Sequence, residues 1–208
     1  MLCSTASSAP ALGRPPAASV PAMASMEESI AQVLTASMSS DISIREHAEL
    51  SLTQGGTTSG FGVGLCRVAL NQALPYGTRQ LAAVVLKQYV KEHWQEGEGR
   101  FCPPQTSEPE KEAIRLLLPT GLGDPIGKIR TAVGMAIATI STWDWPHHWP
   151  ALTGILLGAI RERRSGEQVV GALRCLAMII GDMEEAQVGP GRYCSPRPRM
   201  PFNSINEG

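Results

Sequence analysis

The sequence predicts an all-α fold, a HEAT-type α-solenoid of about four helical hairpins, on three observations. Apolar residues recur at steps of three and four through most of residues 26–180, the spacing of one helix face. Breaks rich in Gly, Pro and Ser separate about eight such stretches, and pairs of them span roughly forty residues, the period of a HEAT repeat. No stretch alternates apolar and polar residues as a half-buried strand would.

The clearest element lies at 128–150. Ile129, Val133, Ile137 and Ile140 form one stripe on a helix starting near Asp124. Trp143, Asp144, Trp145, Pro146, Trp149 and Pro150 follow. Two prolines within five residues cannot continue a helix interior, so the chain turns there. The tryptophans are expected to wedge against the packed helices as a structural corner, with Asp144 capping the next helix. Leu152, Ile155, Leu156, Ala159 and Ile160 then mark that next helix.

The other elements follow in order. Residues 1–25, rich in Ala, Ser and Pro without a lasting period, read as a disordered segment. Ile30, Val33, Leu34 and Met38 give a first helix, and Ile44, Ala48 and Leu52 a second, opened by the capping oxygens of Ser39, Ser40 and Asp41. The glycine-rich 55–64 reads as a flexible linker; it lacks the spacing, preceding strand and lysine of a phosphate-binding loop. Leu65, Val68, Ala69 and Leu74 mark a third helix, closed by Pro75. In 79–94, Leu81, Val84, Val85, Tyr89 and Trp94 are expected to be buried and Lys87, Gln88, Lys91 and Glu92 to face outward. Thr106 and the acidic residues 108–112 open a helix that carries Ile114, Leu117 and Leu118. Val169, Leu173, Leu176 and Ile180 mark the last helix. The segment 182–208 has no period and reads as a disordered tail.

Composition narrows the function. With 18 basic and 19 acidic residues the chain is nearly neutral, unlike a protein built mainly to hold nucleic acid. The five cysteines are scattered, with no CxxC and no zinc spacing, and read as reduced thiols. No apolar run suffices for a bilayer span. His147 and His148 are adjacent and would diverge on a helix, so no metal site is expected, and no catalytic Ser/His/Asp or Cys/His set can be read.

The segments IREHAEL (44–50), RQLAAVVLKQYVKEHW (79–94), KIRTAVGMAIATIS (128–141) and WDWPHHWPAL (143–152), in that order, resemble the successive signatures of the importin N-terminal domain of the importin-β (karyopherin-β) nuclear transport receptors. The resemblance covers 26 to about 180. It implies a right-handed superhelix whose repeats each hold an outer and an inner helix, the inner ones at 41–53, 79–94, 125–141 and 167–180. It implies no enzyme activity and no cofactor. It further implies a monomer of the cytoplasm and nucleus that binds the GTP form of the small GTPase Ran, with Phe-Gly nucleoporins as further partners and cargo proteins carried only by a full-length receptor. Membranes and direct nucleic-acid contacts are not expected. By that resemblance Arg45, Glu49, Lys87, Gln88, Lys91, Lys128 and Arg130 are the candidates to face Ran. The other reading is a generic helical-repeat scaffold, or a truncated isoform unable to carry cargo.

Overall fold

The computed structural model describes residues 20–97 and 101–187, with side chains from Met26 to Met183 apart from 98–100. Eight α-helices run in sequence: α1 (Val20–Ala36), α2 (Ile42–Gly55), α3 (Phe61–Leu70), α4 (Tyr76–His93), α5 (Glu108–Leu117), α6 (Gly127–Asp144), α7 (Ala151–Glu162) and α8 (Gly166–Gln187). A 3-10 segment, Leu118–Gly123, joins α5 to α6, and no strand occurs among the described residues. Consecutive helices form four pairs; α5 and α6 meet through the 3-10 segment that links them, which packs on both. The pairs stack through α1 on α3, α3 on α5, α4 on α6 and α6 on α8, which makes an α-solenoid of the expected class.

The core is continuous along the stack because each hairpin buries apolar side chains against its neighbours. Ile129, Val133, Ile137 and Ile140 of α6 are all fully buried, as their spacing predicts. Helix α6 lies between α4 and α8 and also packs against the 3-10 segment, whose Leu118 and Leu122 are buried. Helix α2, by contrast, has α1 as its main neighbour and leaves Ile42, Ile44 and Leu50 exposed.

Several sequence expectations shift. Helix α1 begins at Val20, inside the segment read as disordered, and α8 runs to Gln187, past the expected break at 181; residues 1–19 and 188–208 lie outside the described residues. The glycine-rich stretch is no flexible linker: α3 starts at Phe61, and Gly62 and Gly64 are buried within it. A Cβ on Gly62 would strike the Tyr89 ring and one on Gly64 would strike Ile30, so these glycines allow close helix packing. The buried carboxylate of Glu110 accepts from the backbone N–H groups of Gly60, Gly62 and Val63 at 3.0, 2.9 and 3.4 Å. It thus caps α3 from the next hairpin.

On α4 the buried apolar positions are Ala82, Ala83, Leu86, Tyr89 and Val90, with Trp94 just past its end, while Leu81, Val84 and Val85 are only partly covered. Helix α4 has neighbours on two sides, and its small alanines let both approach. On α8 the buried line is Gly171, Ala172, Cys175 and Ile179, whereas the expected Leu173 and Ile180 are exposed. On α7, Leu152, Leu156 and Ala159 are buried and Ile155 is exposed.

Candidate protein-binding face and the aromatic corner

One face of the stack is shared by α4 and α6, which pack together. At about 100° per residue, Lys87 and Lys91 lie within about 40° of each other on α4, and Lys128 and Met135 within about 20° on α6. The two rows meet, because Lys87 Nζ lies 4.0 Å from Met135 Sδ. Lys91, Lys128 and Met135 are exposed and Lys87 is partly so. Between them Thr131 and Thr139 donate their hydroxyls to the carbonyls of Gly127 (2.9 Å) and Met135 (3.0 Å). Their hydroxyl protons are therefore not free for a partner. The result is a strip of lysine charges beside the exposed Met135, suited to an acidic and partly apolar protein surface.

The remaining candidates divide. Gln88 donates to Glu92 on its own helix at 2.6 Å. Arg45 Nη1 donates to the Ser39 carbonyl at 3.3 Å, at the turn between α1 and α2, and Glu49 is partly buried one turn further along α2. Arg130 points elsewhere, about 160° around α6 from Lys128. Its Nη1 donates to the backbone carbonyl of Asp124, and its Nε is buried without a partner among the described residues. That engagement places Arg130 in the joint between hairpins, a correction to its expected place on the inner face.

The same joint holds a pair that sequence reasoning missed. Arg79, at the start of α4, forms a buried ion pair with Asp124 and donates Nε to the Ala69 carbonyl at 3.1 Å. Asp124 Oδ1 accepts from the N–H of Ile126 at 2.9 Å, ordering the entry to α6. An aspartate just before a proline was the available signal, but its partner 45 positions away was not readable.

The aromatic corner is also rearranged. Asp144 is 4% exposed and does not cap α7, whose N-cap position is Pro150. Its Oδ2 accepts from the Trp94 indole N–H (3.0 Å) and from Arg115 Nε (2.8 Å), which ties α4 and α5 to the end of α6. Arg115 and Lys111 also stand 5.7 and 5.6 Å from the centre of the buried Trp94 ring, within cation–π range. Of the three corner tryptophans only Trp149 is buried. Trp143 and Trp145 are 46% and 38% exposed. Trp143 lies over Gly97, leaving no room for a Cβ there, and Trp145 donates its indole N–H to Thr153 Oγ1 at 3.0 Å. Pro146 and Pro150 are exposed and end the helices on either side.

Two thiols on the hairpin interfaces, Cys66 and Cys175, are pushed up to about 12 by burial. Burial would also raise the Glu108 carboxyl, but the hydrogen bond and charge of Arg115, aided by Lys111, hold it below its usual value. Among the described residues no group of three or more His, Cys, Asp or Glu side chains could hold a metal ion, and no helix is long and apolar enough to cross a membrane.

Residues 48–124 match the Importin-beta N-terminal domain family. The chain is 33% identical over 172 residues to Importin-9 of Drosophila melanogaster, covering 80% of this chain and 16% of that protein. It is 32% identical over 132 residues to Importin-11 of Homo sapiens, covering 64% of this chain and 13% of the relative. The fold is similar to that of the exportin Cse1 in its cargo-free, cytoplasmic state, with a TM-score of 0.66, 24% identity, and coverage of 75% of this chain and 16% of Cse1. It is also similar to a chain in a structure of Kap95p binding to RanGDP, with a TM-score of 0.61, 23% identity, and coverage of 74% and 19%. The chain thus spans about a sixth of the length of Importin-9. Matched in sequence along its stacked hairpins and in fold to HEAT-repeat transport receptors, the chain belongs to the importin-β family through its N-terminal domain.

Proposed function

We propose that this chain binds the small GTPase Ran in its GTP form through the inner face of α4 and α6, with α2 extending the surface. The observation that carries this reading is the joined row of Lys87, Lys91, Lys128 and Met135 on one open face of a preformed stack. Charges fixed on rigid helices speed encounter and select partners without a large ordering cost. The likeness to Kap95p, seen with RanGDP, supports the choice of partner. On this reading the protein acts in nucleocytoplasmic transport in cytoplasm and nucleus and is not an enzyme. Phe-Gly nucleoporins are further partners on this reading, and cargo proteins belong to the full-length receptor. The test is binding of the purified chain to Ran loaded with a non-hydrolysable GTP analogue or with GDP. Preference for the GTP form, lost in a Lys87→Glu/Lys91→Glu/Lys128→Glu variant, supports the reading; equal binding or none by a cooperatively folded sample overturns it.

A second reading is a generic helical-repeat scaffold with no GTPase partner. It expects a cooperative thermal transition without any Ran binding.

A further inference from the structure

Two methionines are exposed among the described side chains. Met38 is 46% and Met135 40% exposed, while Met26, Met178 and Met183 are partly buried. Met135 is set apart by its neighbour: the Lys87 ammonium lies 4.0 Å from its Sδ, brought there by the packing of α4 on α6. Helix α6 has α4 on one side and α8 on the other, so Met135 is open on a face whose flanking helices are both in place. A thioether sulfur is only a weak acceptor, so the ammonium gains little from it in this state. The pairing matters for what the sulfur can become.

A methionine sulfur is a soft nucleophile that peroxides convert to the sulfoxide. Its lone pair forms an S–O bond to one oxygen of hydrogen peroxide and the O–O bond breaks. The departing oxygen takes the proton of the transferred one and leaves as water, so the sulfur is oxidised by two electrons and the peroxide reduced. Negative charge develops on the departing oxygen, and a cation fixed beside the sulfur stabilises it there. The same ammonium can then donate to the sulfoxide oxygen, a far better acceptor than the sulfur, and the 4.0 Å separation admits that oxygen. We infer that Met135 is a peroxide-responsive modification site, with Lys87 promoting its conversion to the sulfoxide and then being held by the product. The modification changes the strip in two ways. The apolar contact becomes polar and chiral, and Lys87 is drawn onto its neighbour on α6. Loss of partner binding follows from both; this consequence rests on the Ran-binding reading, in which Lys87 and Met135 meet the partner together. Methionine sulfoxide reductases restore the original side chain, so the change is reversible.

The test follows oxidation of the full 208-residue chain by hydrogen peroxide with peptide mass spectrometry. Ran binding is then measured after dithiothreitol has reversed thiol oxidation, which leaves sulfoxides in place. Met135 is expected to oxidise several times faster than Met38, although it is the less exposed of the two. Lys87→Gln removes the charge and should bring Met135 down to the rate of Met38, whereas Lys87→Arg should keep it fast. The oxidised chain is expected to bind Ran in its GTP form about tenfold more weakly, the effect of an unmatched polar group in an interface. Treatment should not change the affinity of Met135→Leu, whatever that affinity is, and should still weaken Met38→Leu. Met38 oxidising as fast as Met135, or a Met135 rate unchanged in Lys87→Gln, overturns the inference, as does undiminished binding by a chain carrying Met135 sulfoxide. The oxidation rates need no partner, so a chain that never binds Ran defeats the Ran-binding reading while the rates still decide this one.

Discussion

The Trp94 indole N–H donates to Asp144 Oδ2 at 3.0 Å, joining the end of α4 to the end of α6 across 50 positions of chain. Asp144 also holds Arg115, so one buried carboxylate satisfies donors from two other helices. Removing it leaves an arginine and an indole without their acceptor in a covered site. Asp144→Ala is expected to destabilise the fold by about 3 kcal/mol, and Trp94→Phe by about 1–2 kcal/mol, because phenylalanine keeps most of the packing. Chemical denaturation checks both. The double variant should cost less than the sum, since the shared hydrogen bond can be lost only once.

Arg79 and Asp124 form the second joint. Both side chains are 3% exposed, so either one left alone is a charge in a dry site. Arg79→Met should cost about 3 kcal/mol while Asp124 remains. Changing Asp124 to Asn in the same chain should recover part of that loss. A denaturation cycle over the four proteins reads the coupling, and additive losses would show that the ion pair contributes little beyond packing.

How much of this was legible in the sequence depended on side-chain size. The α6 stripe of Ile129, Val133, Ile137 and Ile140 was readable because its large apolar residues share one face and polar ones hold the other. On α8 the period was readable but its phase was not. The side that packs is built from Gly171, Ala172 and Cys175, small residues that allow close approach, while Leu173 and Ile180 point outward. Hydrophobicity ranks leucine above glycine, so it selected the wrong side. Lys91 and Lys128 are exposed and Lys87 partly so, as their helical spacing predicts. Arg130 could not be placed, since its role depends on the carbonyl of Asp124 in a turn. Asp144 looked like a cap because its partners lie 29 and 50 positions away, and local pattern carries no such information.

Helical glycines all look alike in sequence, each costing up to about 1 kcal/mol relative to alanine, but the packing separates them. Gly154 and Gly158 on α7 have open space where a Cβ would stand, whereas Gly171 on α8 faces the Leu122 carbonyl. Gly154→Ala and Gly158→Ala should each stabilise by about 0.5–1 kcal/mol through a less flexible unfolded chain. Gly171→Ala should destabilise by about 1–3 kcal/mol, because α8 must move off the 3-10 segment. Opposite shifts in denaturation midpoint across the three variants are the expected pattern.

The Glu108–Arg115 contact sets a pH dependence. The folded carboxyl is held below its ordinary value of 4.5, so the unfolded chain binds the proton more readily. The contribution of this group is therefore present above about pH 4.5 and is lost as pH falls through the lower folded value. Glu108 is 65% exposed, and solvent screening limits the effect to about 0.5 kcal/mol. Glu108→Gln should be slightly less stable than the parent at pH 7, and the difference should vanish in acid once the carboxyl is protonated in both states, as read from paired denaturation curves.

The thiols report whether the hairpins stay closed. Burial pushes Cys66 and Cys175 up to about 12, so at pH 8 almost none of either is thiolate, and their surroundings also exclude a reagent. Cys102 is exposed and should label quickly in the native protein. Mass spectrometry after maleimide treatment at pH 8 should find Cys102 modified and Cys66 and Cys175 unmodified, with both becoming reactive in denaturant. Because Cys66 lies inside α3 and Cys175 on the side of α8 that meets α6, their labelling rates measure the opening of different hairpins.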